Sequence, residues 1–178
     1  NTMLQGSSSV EEEAAAYNIE KSIRFKPGSD PYFIRTPKSA GNRKKHTYAF
    51  WFKHCSTSTM QYLFNTSTGG YPAFVRTTTS GGYAGNIQIV DDTMGWGRII
   101  QMKFDDPTAW AHLCVSVDSD DPDTTTKHGR VKIYLNGRLV ENFHGLVQAP
   151  TQYQAGIVNK EDEIIYIGGK NATDNHYD

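Results

Sequence analysis

The chain has 178 residues, 37% hydrophobic and 12% aromatic, enough for one domain that buries roughly 70% of its unfolded surface without a disulfide or a metal. Its 18 basic and 19 acidic residues leave a net charge of -1, without the cationic footprint of a duplex-binding protein. No apolar run approaches the ~20 residues of a membrane-spanning helix, and no signal-peptide core precedes the domain.

Residues 1–21 differ from the rest. Asn1–Ser9 is polar and rich in Gly and Ser, and Glu11-Glu12-Glu13-Ala14-Ala15-Ala16 has no apolar face. Such a segment cannot order itself by burial, so it reads as an arm held by a partner, with Thr2, Met3, Leu4 and Gln5 as contact residues. From residue 22 the pattern changes to short strands separated by turn residues, with almost no helical signal.

Strands are predicted at Ser22–Phe25, before Pro27-Gly28, and at Tyr32–Arg35, before Thr36-Pro37. Thr47–Lys53 puts Tyr48, Phe50 and Phe52 on one face and Trp51 on the other. Gln61–Phe64, Ala73–Thr77 and Asn86–Val90 follow, then Ile99–Phe104, alternating on Ile100, Met102 and Phe104. The clearest signal runs from Trp110 to Val140. Leu113, Val115 and Val117 alternate with polar residues, an acidic loop intervenes, and Val131, Ile133 and Leu135 resume the period. Asn136-Gly137 is a type I′ turn signal that folds Arg138-Leu139-Val140 back as the partner strand. Ile164–Ile167 is the last clear strand. The predicted class is all-β, a two-sheet antiparallel sandwich. Cys55 and Cys114 both fall in strands and read as a reduced, packed pair.

Trp110, His112, the alternating strand ending at Asp118 and the Tyr134-x-Asn136-Gly137 closure resemble the laminin G-like, concanavalin A-like jelly roll. The segment SIRFKPGSDPYFIRTPKSAGNRKKHTYAFWFK is similar to the opening of such domains in structural proteins of tailed bacteriophages, marine and cyanobacterial phages especially. The leading NTMLQGSSS is similar to the arm that precedes them, and the likeness extends from about Asn1 to Asp178. It implies a jelly roll over residues 22–178 in a non-enzymatic virion protein, the virion-attached N-terminal part of a tail fibre or appendage. Other virion proteins would be its partners, and a homo-oligomer such as a trimer its assembly. A capsid decoration protein is a close variant, and an adhesin for host surface glycans is the alternative from another class. In the family a further strand follows the final loop. Tyr177-Asp178 matches only its start, so the resemblance implies a chain that continues.

Candidate chemistry is sparse. Asp118-Ser119-Asp120-Asp121-Pro122-Asp123 offers Asp118, Asp120 and Asp121 as calcium ligands, but an EF-hand register fails, because Asp123 stands where glycine is required. A solvated loop is the preferred reading, with no cofactor expected. Glu161 and Glu163 could share a face as glycosidase carboxylates do, yet they precede a strand instead of lying on one. His112 reads as scaffold, and Arg43-Lys44-Lys45-His46 as a solvated turn. For sugar stacking, the loop aromatics Tyr71, Tyr83, Trp96 and Tyr153 are available. Trp96, between Gly95 and Gly97, is the best of them, although the same ring could plug the edge of the core, the preferred role.

Overall fold

The computed structural model describes residues 23–25, 31–54, 59–66, 73–79, 81–104, 106–124, 129–144 and 148–169. The arm with Thr2, Met3, Leu4 and Gln5, the loop with Tyr71, Cys55, and the tail with Tyr177 and Asp178 lie outside them.

Among the described residues the chain forms two antiparallel sheets. The strands are β1 (Phe33–Arg35), β2 (Lys45–Phe52), β3 (Tyr62–Thr66), β4 (Ala73–Thr77), β5 (Ile87–Asp91), β6 (Trp96–Ile100), β7 (Ala111–Asp118), β8 (Val131–Leu135), β9 (Arg138–Leu139), β10 (Phe143–His144) and β11 (Ile165–Ile167). Seven of them make one sheet in the order β1-β11-β3-β4-β5-β6-β10, and β2-β7-β8-β9 make the other. The predicted sandwich is the fold observed.

Period-two patterning explains why these segments pair as they do. Along β7 and β8 every second side chain is buried, and Leu113, Val115, Val117, Val131 and Ile133 meet Val75, Ile87 and Ile89 of the larger sheet in one core. β2 pairs with β7 over eight consecutive residues, from Lys45 opposite Asp118 to Phe52 opposite Ala111. Its inward side carries His46, Tyr48, Phe50 and Phe52, and Tyr48 stacks on Phe64 of β3 with ring centroids 5.1 Å apart. At Asn136 (φ 50°) and Gly137 (φ 77°) the backbone enters the left-handed region, as a type I′ hairpin turn requires.

A bulge interrupts β3. Tyr62 pairs with Arg76, but Phe64 pairs with Val75, leaving Leu63 as an extra residue. Leu63 and Phe64 both join the main core, while Tyr62 packs with Phe74 and Val90 in a separate buried cluster. Arg76 closes that cluster. It lies over Phe74 at 4.6 Å and donates to the Tyr62 hydroxyl and to Gln88 Oε1, each at 2.9 Å.

Three expectations change. Ile23–Phe25, the described part of the strand predicted at Ser22–Phe25, pairs with no strand. The strand predicted over Ile99–Phe104 is instead Trp96–Ile100. Asp91 accepts from the backbone N–H groups of Thr93 and Met94 through Oδ1, making a tight turn that starts β6 early. At the other end Met102 N–H donates to the Ile100 carbonyl at 2.8 Å, and the Asn86 amide caps the Ile100 and Met102 carbonyls, so pairing stops. Met102 is therefore exposed while Phe104 is buried. Arg43–His46, expected as a solvated turn, leads directly into β2: Arg43 Nε donates to the Gly156 carbonyl at 2.7 Å, and His46 faces inward.

Candidate functional site

Each sequence-predicted residue finds a definite place, and they do not form one site. Trp96 is only 3% exposed. Its position opposite Asp91 on β6 turns the ring into the core, and Nε1 has no hydrogen-bond partner among the described residues. It is the plug and not a stacking surface. The flanking glycines serve the backbone: Gly95 has φ 72°, and at Gly97 a side chain would press on Val90.

Tyr83 is exposed, on the short 3₁₀ turn Gly81–Tyr83, and its ring lies 5.1 Å from that of His144. Hydrogen bonds from Gly85 N–H to the Thr78 carbonyl and from Asn86 N–H to the Tyr83 carbonyl tie this turn to the sheet. Beside it, the outer face of the larger sheet holds an open groove of about 330 Å³, whose polar lining is Gln88, Asp92, His144 and Gln148. Val90 and the segment from Gly95 to Ile99 complete its lining. Tyr153 is far more exposed, at 62%, with φ 63° and Lys44 Nζ 5.5 Å above its ring.

Lysines at the start of β2 meet the acidic loop at Asp118 and Asp120. Lys45 Nζ lies 3.2 Å from Asp118 and 3.7 Å from Asp120, and Lys44 Nζ lies 3.6 Å from Asp120. The Asp118 carboxylate holds Lys45 above the usual lysine range through its hydrogen bond. Asp118 Oδ1 also accepts from Asp120 N–H, and Asp121 Oδ1 from Asp123 N–H, so the carboxylates serve turns and lysines instead of converging. Among the described residues no group of three or more His, Cys, Asp or Glu side chains could hold a metal ion. Glu161 is exposed and Glu163 is buried, 3.8 Å from Lys160, so this pair does not share an open face.

The surface missed by the sequence reading is the outer face of the four-stranded sheet. Trp51, on β2, and Trp110, the residue before β7, are 46% and 37% exposed. The Trp51 ring lies 4.9 Å from that of His112, its cross-strand partner. Lys53 Nζ lies 5.0 Å above the Trp110 ring. Cys114, a free thiol, occupies the same face between Ala49 and Tyr134. The alternation along β2 is the signal that puts Trp51 outside.

The family model for the concanavalin A-like lectin/glucanases superfamily matches residues 27–178. The chain belongs to this superfamily. Solved structures agree on the concanavalin A-like fold. Domains LG4-5 of the mouse laminin alpha1 chain match with a TM-score of 0.53 at 10% identity, over 83% of this chain and 36% of that one. The LG1-3 region of the laminin alpha2 chain matches with a TM-score of 0.51 at 15% identity, over 79% of this chain and 24% of that one. This concanavalin A-like chain thus spans about a third or less of the laminin chains it matches. No curated protein matches the sequence.

Proposed function

We propose that the chain is a non-enzymatic structural module of a tailed-phage particle, the attached part of a tail fibre or similar appendage, with capsid decoration as a close variant. The observation that carries this reading is the apolar edge of the larger sheet. Ile23, Phe33, Ile34 and Ile167 are 67%, 47%, 61% and 46% exposed, concentrated where the chain enters the sandwich through Ile23–Phe25 and β1. Phe25 meets Phe33 edge-on at 5.6 Å, so the entering segment is already fixed against this edge. An exposed apolar sheet edge is a surface that another chain covers. The partners are neighbouring particle proteins, and a symmetric homo-oligomer such as a trimer is the expected assembly. The phage setting rests on the likeness of the opening segment.

The double variant Ile23→Lys, Ile34→Lys tests the reading. Its amount in purified particles should fall about tenfold while the melting temperature of the isolated chain is unchanged. Normal incorporation would overturn attachment through this edge.

A glycan-binding adhesin is the second reading, favoured by the groove beside Tyr83 and His144. There the Tyr83 ring lies against His144, which lines the groove together with Gln88, Asp92 and Gln148. Loss of glycan-array binding in Tyr83→Ala would support it, and unchanged binding would remove the groove from consideration.

A further inference from the structure

The two sheets do not end together. One cross-strand row on the inner face of the larger sheet runs Ile89, Val75, Phe64, Ile167, Phe33, from β5 out to β1. Ile89 and Val75 are fully buried and Phe64 is 9% exposed, but Ile167 and Phe33 are 46% and 47% exposed. The step falls where the smaller sheet stops. Its edge strand, β2, lies over β3 through the Tyr48–Phe64 stack, and among the described residues no strand of that sheet lies over β11 or β1. Phe25 closes the far side, edge-on to Phe33 and against Gly168. Between β2 and Phe25 the floor of β11 is left open by the width of one strand, about 4.8 Å.

One wall of this slot is the unused half of a ladder. Ser119 N–H donates to the Lys44 carbonyl at 2.9 Å, so Lys44 and Ser119 form a hydrogen-bonded pair. Bonded and non-bonded pairs alternate along an antiparallel ladder. His46, Tyr48, Phe50 and Phe52 therefore bond to β7, while Thr47, Ala49 and Trp51 turn their N–H and C=O groups away from it. Asn42 Oδ1 accepts from Lys45 N–H at 2.9 Å, but the other three have no main-chain partner among the described residues.

These features define the occupant. Open main-chain groups beside an apolar floor take an added strand, whose backbone supplies affinity and whose alternate side chains supply specificity. A second folded copy does not fit, because its own sandwich would collide with the projecting β11 and β1. Arg35 stands two residues along from Phe33 on the same face, exposed and in no ion pair among the described residues. The carboxylates near it are engaged elsewhere, Asp162 with Lys38 at 4.0 Å and the buried Glu163 with Lys160 at 3.8 Å. A strand's period of two thus asks for an apolar side chain over Phe33 and Ile167 and a carboxylate two residues away.

We propose that this slot is a strand-addition site for a single extended segment of a neighbouring polypeptide, apolar over Phe33 and Ile167 and acidic two residues on, at Arg35. The site rests on the reading that another chain covers this edge, and it gives that chain its form.

Amide hydrogen exchange tests this on the full chain, alone and with the strand Thr-Val-Thr-Ile-Thr-Glu-Thr joined after Asp178. A Gly/Ser linker of about 15 residues lets the strand reach the slot at millimolar effective concentration. In the chain alone, the Thr47, Ala49 and Trp51 amides should exchange far faster than those of Tyr48 and Phe50. The joined strand should slow those three about tenfold and raise the melting temperature. Replacing its Glu by Lys should remove most of that protection, and Arg35→Glu should restore it for the Lys strand. Three results would each overturn the site: protection of the three amides in the chain alone, because its own residues then fill the slot; no change on joining the strand; or equal effects of the Glu and Lys strands. No particle is involved, so such a failure beside poor incorporation of the Ile23→Lys, Ile34→Lys variant would leave attachment standing.

Discussion

Arg98 reaches across the sandwich from β6 and donates through Nη1 to the main-chain carbonyl of Val131 at 2.7 Å, where β8 begins. It is 1% exposed, and its guanidinium lies 5.2 Å from the Phe143 ring. Burial lowers its pKa to about 10. Arg98→Ala strands the carbonyl and opens a cavity, so chemical denaturation should record a loss of about 2–4 kcal/mol. Arg98→Lys should recover little, because a lysine cannot reproduce the planar fork.

His46 faces inward beside Tyr48, with ring centroids 6.3 Å apart, and burial lowers its pKa to about 4. Its Nδ1 is buried with no hydrogen-bond partner among the described residues. A histidine depressed in the folded state takes up its proton first in the unfolded chain. Stability therefore rises with pH between about 4 and the ordinary histidine value of 6.5, and is lost as pH falls through that window. Asp91, raised by burial despite the hydrogen bonds it accepts, acts in the opposite sense above the ordinary carboxylate value. The melting temperature should drop between about pH 7 and about pH 4.5, and His46→Gln should flatten that drop. An equally steep profile in the variant would exclude the histidine as its source.

Two tryptophans should respond oppositely to truncation. Trp96→Ala removes a buried ring and should cost about 3–5 kcal/mol. Trp51→Ala removes a ring standing on a surface and should change stability by about 0.5 kcal/mol or less. Matched urea melts of the two variants check this directly.

Calcium should leave the melting temperature unmoved, because Lys44 and Lys45 already neutralise Asp118 and Asp120. Lys45→Ala should cost less than about 1 kcal/mol, as exposed ion pairs do. A calcium-dependent rise in melting temperature that disappears in Asp120→Asn would overturn this reading of the loop.

The sandwich was legible wherever side-chain alternation and turn chemistry agreed. Leu113–Val117, Val131–Leu135 and Asn136-Gly137 could be read residue by residue because period and turn type name the same pairing. β6 misled because Ile100, Met102 and Phe104 keep the alternation past the point where Asn86 takes the Ile100 and Met102 carbonyls out of the ladder. That hydrogen bonding is tertiary and leaves no local mark. β10, two residues long, is too short to show a period. Among the candidate site residues, exposure was the illegible quantity. Trp96 between its glycines allows both a stacking surface and the preferred core plug, and Asp91 turns the chain so that the ring points inward. The pairing of Trp51 with His112 required the β2–β7 register, which no single segment encodes.

The extra residue at Leu63 has a consequence for how this chain can change. On either side of it β3 obeys opposite parity, so deleting that one residue would exchange the two faces of the sheet along half the strand, both of which are buried here. Insertions and deletions are therefore barred from β3, while substitutions that keep the two-versus-one count are open to it.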